Sequence, residues 1–501
     1  MQPTSRKSIW WGTLTLTSAA LASRGLGLIY RMLLARFLGG EGLGLFQMVF
    51  PFYVALVTLA VAGTPVAVSQ MLAEGKAPAS RLLRASIFIV LTITLPLMVL
   101  VIMWARPLAV TLYHDEMFVP LLWGLSPALL AVAFSSVLRG YFLGRQQMEY
   151  PAAAQVAEQM ARVAILFALV NLVGRHLFPN PPLIAVLLIP LGEAVSLAIL
   201  AWGYLHRQPD PLIDADQPRG LARAILKLSV PVTLSRLLGS GVAVVEASLI
   251  PLRLELSGMT RGAAVRYFGQ LTGMALPLIL FPSALTVSLS TNLIPAIAEA
   301  SARKDIRRVQ KYIVDSISAT ALLTVPVTFM LLTLGLPLDD LFFHASIPST
   351  VFVPLVIGGF FLYFDIALAG ILRGLGRTDL PLWNDLAASL LEIALIWVLA
   401  GHPGRGQEGI AIAVAAGFTG SCFLNVHYVL KLTDVKIPWS GVMGKPIIAA
   451  FPIWLATPLW QAWLRTVHAN HAVTLLSSVL VAAAIYFMAL AAAGTRLTKI
   501  L

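Results

Sequence analysis

Runs of mostly apolar residues, each long enough to cross a bilayer, follow one another from residue 9 almost to the C-terminus, with short polar breaks between them. A helix rises about 1.5 Å per residue and the hydrocarbon core is about 30 Å thick, so a run of about 20 residues predicts one membrane-spanning helix. The spans fall near residues 9–37, 43–72, 83–104, 118–142, 152–173 and 183–204, and then, after a polar linker at 206–220, near 224–251, 263–297, 313–336, 351–372, 382–399, 410–430, 446–464 and 472–493. That makes fourteen. Backbone groups in lipid must be satisfied within the segment itself, so the predicted fold class is all-α integral membrane.

Composition agrees with the pattern. Of 501 residues, 58% are hydrophobic and 12% charged, which excludes soluble enzymes, DNA-binding proteins and secreted scaffolds. The start imitates a signal peptide, with Arg6 and Lys7 before the apolar run and Ala20-Leu21-Ala22 ahead of Ser23. The apolar pattern continues through Leu26, Leu28, Ile29, Leu33 and Leu34, so we read an uncleaved first span. The single cysteine, Cys422, lies in an apolar run and reads as a small core residue.

The net charge of +12 follows from topology rather than from a nucleic-acid partner. With the N-terminus inside, 23 of the 35 lysines and arginines fall on the cytoplasmic side, eight on the opposite side and four within spans. Both termini are therefore expected in the cytoplasm of a multi-pass protein.

The chain also matches itself. An offset of 230 places Pro65 on Pro295, Pro96 on Pro326, Pro107 on Pro337, His114 on His344, Gly140 on Gly370, Gly144 on Gly374 and Pro151 on Pro381. Four of seven prolines in that stretch find proline partners, where about 0.4 would be expected by chance. Six spans separate equivalent positions, and an even number preserves direction. The expected organisation is an N-lobe over 1–206, a cytoplasmic linker over 207–222, a C-lobe over 223–436 and a two-span appendage over 437–501. Two parallel six-helix repeats around a central cleft point to a transporter. A second offset, of 212, relates Ser23-Arg24 to Ser235-Arg236.

Ionisable residues inside spans are costly, about 2.5 to 3.5 kcal/mol for an arginine at the centre, and normally face a wet cavity or a partner. Arg24 lies midway along the first span and Arg31 seven residues on, nearly two turns, so both project from one face. Either they line a cavity, or Arg31 snorkels outward and an acid from another span neutralises Arg24. Arg162 has Glu158 one turn before it and reads as half of an ion pair. Arg236, Glu246, Glu193, Asp365, Asp385 and Glu392 complete the set. A cationic first half and an acidic second half suit an anionic substrate and a coupling cation; scattered internal ion pairs are the alternative. Asp339, Asp340 and His344 share an outer loop without specifying a metal, and no phosphate-binding loop or hydrolase motif occurs.

Residues 23–27 (Ser-Arg-Gly-Leu-Gly), 34–39, 42–47, Ala62-Gly63-Thr64-Pro65 and Ser69 resemble the N-terminal signature of the stage V sporulation protein B group. That group belongs with MurJ-like lipid II flippases in the multidrug/oligosaccharidyl-lipid/polysaccharide (MOP) exporter superfamily. Phe281-Pro282-Ser283-Ala284 and Leu293-Ile294-Pro295 resemble the eighth span of MurJ-like proteins. The resemblance implies a non-enzymatic flippase of the bacterial cytoplasmic membrane. It would move an undecaprenyl-pyrophosphate-linked saccharide, such as the peptidoglycan precursor lipid II, outward by alternating access, driven by membrane potential or a cation gradient. It implies a substrate-binding role for Arg24, with Tyr30 at the position of a second cavity arginine and Val57-Thr58 where relatives are basic; Arg31, beside Tyr30, and Arg236 join as candidates from their place within spans. It also implies a sodium or proton site with Glu246 and Asn384 or Asp385 as candidates, no other cofactor, and cell-wall synthesis proteins as partners. A flippase for another polysaccharide precursor, a drug or cation antiporter of the same fold, a glycosyltransferase and a non-transporting scaffold are the rival readings.

Overall fold

The computed structural model describes residues 6–75, 77–173, 180–206, 220–344, 347–466, 468 and 470–492. Among these the chain is helical throughout: α1 (Arg6–Val61), α2 (Thr64–Ala73), α3 (Ala79–Tyr113), α4 (Phe118–Gly144), α5 (Glu149–Ala168), α6 (Pro181–Leu205), α7 (Leu221–Leu256), α8 (Arg261–Gln270), α9 (Leu276–Leu280), α10 (Ser283–Ala302), α11 (Ile306–Phe343), α12 (Ser349–Gly374), α13 (Asp379–Leu399), α14 (Gly406–Thr433), α15 (Trp439–Thr466) and α16 (His471–Ala492). Of the expected linker at 207–222, only the last three residues lie within the described chain.

Thirteen stretches of the described chain are long and apolar enough to cross a membrane. The first of them, Ser18–Ala73, has 56 residues, and at 1.5 Å per residue reaches about 84 Å, far beyond one crossing. It breaks inside α1 at Gly39, whose φ of 68° and ψ of −179° only glycine adopts without strain. This break falls between the two spans expected at 9–37 and 43–72. The expected span at 263–297 is also interrupted. A π-helical turn over Leu271–Ala275 joins α8 to α9, and a turn at Phe281 and Pro282 separates α9 from α10. Proline has no N–H to continue the ladder, and the Tyr363 hydroxyl of α12 donates to the Ile279 carbonyl at this break.

Large apolar side chains face outward, as a lipid solvent requires: Met103, Ile448 and Leu480 are 73%, 74% and 72% exposed. The chain divides into two compact units, Met1–Ser248 with Val265–Gly269, and Leu249–Ala264 with Gln270–Leu501. The boundary falls within α7, after Ser248.

In the first unit α4 packs against α1, α2, α3 and α6. Its core includes Val68, Leu82, Val90, Phe142 and Leu200. Contact between α2 and α4 is backbone to backbone at Gly140, where any Cβ would run into the main chain of Pro65. Pro65 deprives the Val61 carbonyl of its helical donor, and the Thr64 hydroxyl supplies one at 2.8 Å.

In the second unit α12 packs against α10, α11 and α14, and α15 and α16 pack on α11. Ile313, Leu368, Ile371, Val429, Ile453 and Tyr486 form its core, and Cys422 is buried among them. Local events of the first unit recur here. Gly370 and Gly374 meet Ser290 and Ile297 as Gly140 and Gly144 meet Pro65 and Ser69. The long helices α3 and α11 each hold two prolines and end on a histidine in the left-handed region, His114 at φ 56° and His344 at φ 52°.

Candidate functional site

Arg24 and Arg31 lie on α1, the first exposed and the second half-buried, and Arg236 is exposed on α7. Among the described residues, none of the three has an acid within ion-pair distance. A guanidinium on a membrane-spanning helix without a carboxylate partner is free to meet an anion. Tyr30 points elsewhere. Six residues after Arg24, it is about 120° around the helix from it. It is 7% exposed, and its hydroxyl has no hydrogen-bond partner. Glu246 is half-buried on the part of α7 that belongs to the first unit, whereas Asn384 and Asp385 belong to the second.

Arg162 forms the expected pair with Glu158 on α5 and takes a second acid from α6: its Nη2 lies 2.9 Å from Glu158 Oε1 and 3.3 Å from Glu193 Oε1. Gly192 makes room for this guanidinium, since a Cβ there would run into it.

The second unit assembles a larger polar network from α12, α13 and α14. Asn384 Nδ2 donates to Asn425 Oδ1 at 2.8 Å, and Asn425 Nδ2 donates to Asp365 Oδ1 at 2.7 Å. Ser421 Oγ lies 2.9 Å from Asp365 Oδ1 and 2.6 Å from Asp385 Oδ1. A hydroxyl has one hydrogen, so it satisfies only one of the two carboxylates as a donor. The second contact calls for a proton on a carboxyl oxygen or for a cation nearby. Beside this network is a cavity of about 440 Å³, lined by Asp365, Arg373, Asp385, Glu392, Gly417 and Ser421 among others. Three acids and one arginine give its wall an acidic balance.

Helical spacing builds this wall. Asp385, Ala388, Ser389 and Glu392 follow i, i+3, i+4, i+7 along α13, and Gly417, Ser421 and Asn425 follow a four-residue period along α14. Gly417 has no side chain because the Glu392 carboxylate occupies the space a Cβ would need. The sequence pattern singled out Asp365, Asp385 and Glu392 separately and the resemblance added Asn384, but both passed over Ser421 and Asn425. Their signal was a polar stripe at i and i+4 in an otherwise apolar span.

A chain of membrane-spanning helices with unpaired arginines in one half and a polar acidic cavity in the other is built as a transporter. The sequence profile of the family described as Polysaccharide biosynthesis protein matches residues 9–301, more than half the chain, and that of Lipid II flippase MurJ matches residues 264–370. Stage V sporulation protein B of Bacillus subtilis (strain 168) is 31% identical over 440 residues, covering 85% of this chain and 84% of that protein. Lipid II flippase MurJ of the same organism is 28% identical over 173 residues, 31% of each chain. Among solved structures, the lipid II flippase MurJ in its inward closed conformation superposes with a TM-score of 0.72 at 17% identity, over 95% of this chain and 98% of that one. An inward-facing multidrug resistance MATE family transporter of the MOP superfamily gives 0.66 at 15% identity, over 82% and 94%. The chain belongs to the Polysaccharide biosynthesis protein family and groups there with stage V sporulation protein B.

Proposed function

We propose that this chain flips an undecaprenyl-pyrophosphate-linked saccharide, with lipid II as the first candidate, from the inner to the outer leaflet of the bacterial cytoplasmic membrane by alternating access, both termini being cytoplasmic. The observation that carries this reading is Arg24, an exposed guanidinium on a membrane-spanning helix without an acidic partner among the described residues. Its planar fork suits a diphosphate, which it binds through paired charge-assisted hydrogen bonds. Arg31 continues the same face nearly two turns on, and Arg236 supplies a further cation from α7. Tyr30, turned into the first unit, leaves the substrate face.

The polar network of the second unit is the proposed coupling site. Its donor set is oxygen and amide only, the chemistry of a hard cation or a proton, with Asn384 and Asp385 joined by Asp365, Ser421 and Asn425. Glu246 is retained as a candidate ligand from α7. Proteins that make or consume the lipid carrier during cell-wall synthesis are the proposed partners. The antiporter reading has the weaker support: a relative named probable multidrug resistance protein NorM is 27% identical over 365 residues, below the 31% of stage V sporulation protein B.

The test is growth rescue in bacteria depleted of their own lipid II flippase, at matched membrane levels of each variant. Wild type is expected to rescue, Arg24→Ala to fail, and Arg24→Lys, which keeps the charge but loses the fork, to fall at least about tenfold in flipping, or about 1.4 kcal/mol. Equal rescue by all three removes Arg24 from the transport path. Failure of all three moves the cargo to another lipid-linked saccharide.

A further inference from the structure

In the second unit, α11 and the passage from α14 into α15 line two neighbouring pockets of opposite character. The first, of about 530 Å³, lies where α11 begins and α14 ends, and Gln310, Lys311, Asp315, Asp434 and Lys436 are in its wall. Gln310 ties the two helices together there, its Nε2 donating to the Thr433 carbonyl at 2.9 Å, and Asp434 ends α14 in the left-handed region at φ 48°. The two lysines and two aspartates are exposed, and among the described residues none of these four side chains has an ion-pair or hydrogen-bond partner. Lys311 and Asp315 are one turn apart on α11, where opposite charges commonly close on one another, yet they stay apart around the opening. Both signs of charge are left available.

The second pocket, of about 260 Å³, is apolar and aromatic, with Ile317, Phe361, Phe364, Phe423, Trp439 and Met443 in its wall. The two follow one another along the same seam. Val314 lines the first and Ile317, about 4.5 Å further along α11, lines the second, while Lys436 and Trp439 stand three residues apart on the way into α15. The charged pocket therefore sits at the end of the span expected at 313–336, and the apolar one opens just inside it. Trp439, 45% exposed, stands at the boundary, as tryptophans at a membrane surface do. The first half has no such pair. The 230-residue offset sets Ala85 opposite Asp315 and Ala131 opposite Phe361, and α15, which brings Trp439 and Met443, has no partner there.

We infer that the joined pockets bind a resident membrane phospholipid with a zwitterionic, primary-amine head, the chemistry of phosphatidylethanolamine, in the leaflet at this end of the unit. That leaflet is the cytoplasmic one in the proposed orientation. Lys311 and Lys436 meet the phosphate, Asp315 and Asp434 accept from the ammonium, and an acyl chain enters the apolar pocket. Charge selects the head. Two lysines and two aspartates are neutral together, which matches one phosphate and one ammonium; a diphosphate or an anionic phospholipid would set unbalanced charge beside two carboxylates. A choline head has no N–H for the aspartates to accept and is recognised by aromatic rings, and the wall of the charged pocket holds none. The volume lies within the roughly 300 to 1,000 Å³ of small-molecule sites. The inference holds whatever saccharide the protein carries, because this lipid is not the cargo.

Native mass spectrometry of the full-length protein, stripped of lipid in detergent, tests it by titration with phosphatidylethanolamine, phosphatidylcholine and phosphatidylglycerol of identical acyl chains. Wild type is expected to bind its first phosphatidylethanolamine at least about tenfold more tightly than either of the others. Asp315→Asn combined with Asp434→Asn is expected to abolish that preference and to strengthen phosphatidylglycerol binding. Lys311→Ala combined with Lys436→Ala is expected to weaken both lipids. All four side chains are exposed, so these variants keep the fold. Undecaprenyl diphosphate added at equal concentration is expected to leave the bound phosphatidylethanolamine in place. Equal binding of the three phospholipids, or a preference that survives the aspartate substitutions, overturns the site and leaves a seam that any acyl chain fills. Tighter binding of phosphatidylglycerol by wild type overturns the zwitterionic head, and displacement by undecaprenyl diphosphate overturns the resident lipid and makes the pockets part of the cargo path.

Discussion

Ser421 has one hydrogen and touches two carboxylates, while Asn425 sits fully buried and spends both ends of its amide, one on Asp365 and one on Asn384. These two residues hold the acidic network together, and they carry no charge. Asn425→Leu leaves the Asp365 carboxylate short of a donor and the Asn384 amide short of an acceptor, at about 1 to 3 kcal/mol for each group. Thermal unfolding in detergent should show the loss. If the network holds the coupling ion, the variant should also lose the stabilisation that added sodium, or acid pH, gives the wild type. A wild type whose melting temperature responds to neither places the coupling ion elsewhere. The residues that bear charge were legible in the sequence, since an aspartate or arginine within an apolar run declares itself by its cost. Ser421 and Asn425 were not, because serine and asparagine are tolerated in apolar helices for many reasons and only the facing helices α12 and α13 give them work. The resemblance placed Tyr30 with the arginines; its side chain is buried, about 120° around α1 from Arg24.

Helix ends and interiors obey a related accounting. Pro326 removes the donor that the Leu322 carbonyl would have met one turn later, and the Tyr486 hydroxyl on α16 fills the gap at 2.9 Å. The appended pair α15 and α16 is thereby pinned to the proline bend of α11, beyond the apolar packing they share with it. Tyr486→Phe conserves the ring and strands the carbonyl, so it should cost about 1 to 3 kcal/mol and lower the unfolding temperature, with little effect on span insertion. A melting temperature equal to wild type would mean that the bend opens to another donor. At this scale the sequence was most informative: run length and proline spacing gave the helices and their order. It was least informative where a run continues through a break. The chain breaks between α9 and α10 without any charged interruption, and hydropathy has no term for a backbone angle.

For the whole molecule, the question is what drives an anion outward. In the proposed orientation, with 23 of the 35 basic residues on the cytoplasmic side, the unpaired arginines would favour negative cargo. Moving one charge through 100 mV is worth about 2.3 kcal/mol, so a diphosphate with about two charges gains up to about 4.6 kcal/mol on leaving a negative cytoplasm. That is enough to favour the outer leaflet about a thousandfold without any nucleotide. Collapsing the potential with a potassium ionophore, while sodium and proton gradients are kept, should then abolish most accumulation of the lipid-linked saccharide at the outer leaflet, read by a probe that reaches only that leaflet. Accumulation that survives zero potential but stops when the sodium or the proton gradient is removed would transfer the driving force to the ionisable clusters. Sodium dependence abolished by Asn425→Leu would then point to the network around Asp365 and Asn425.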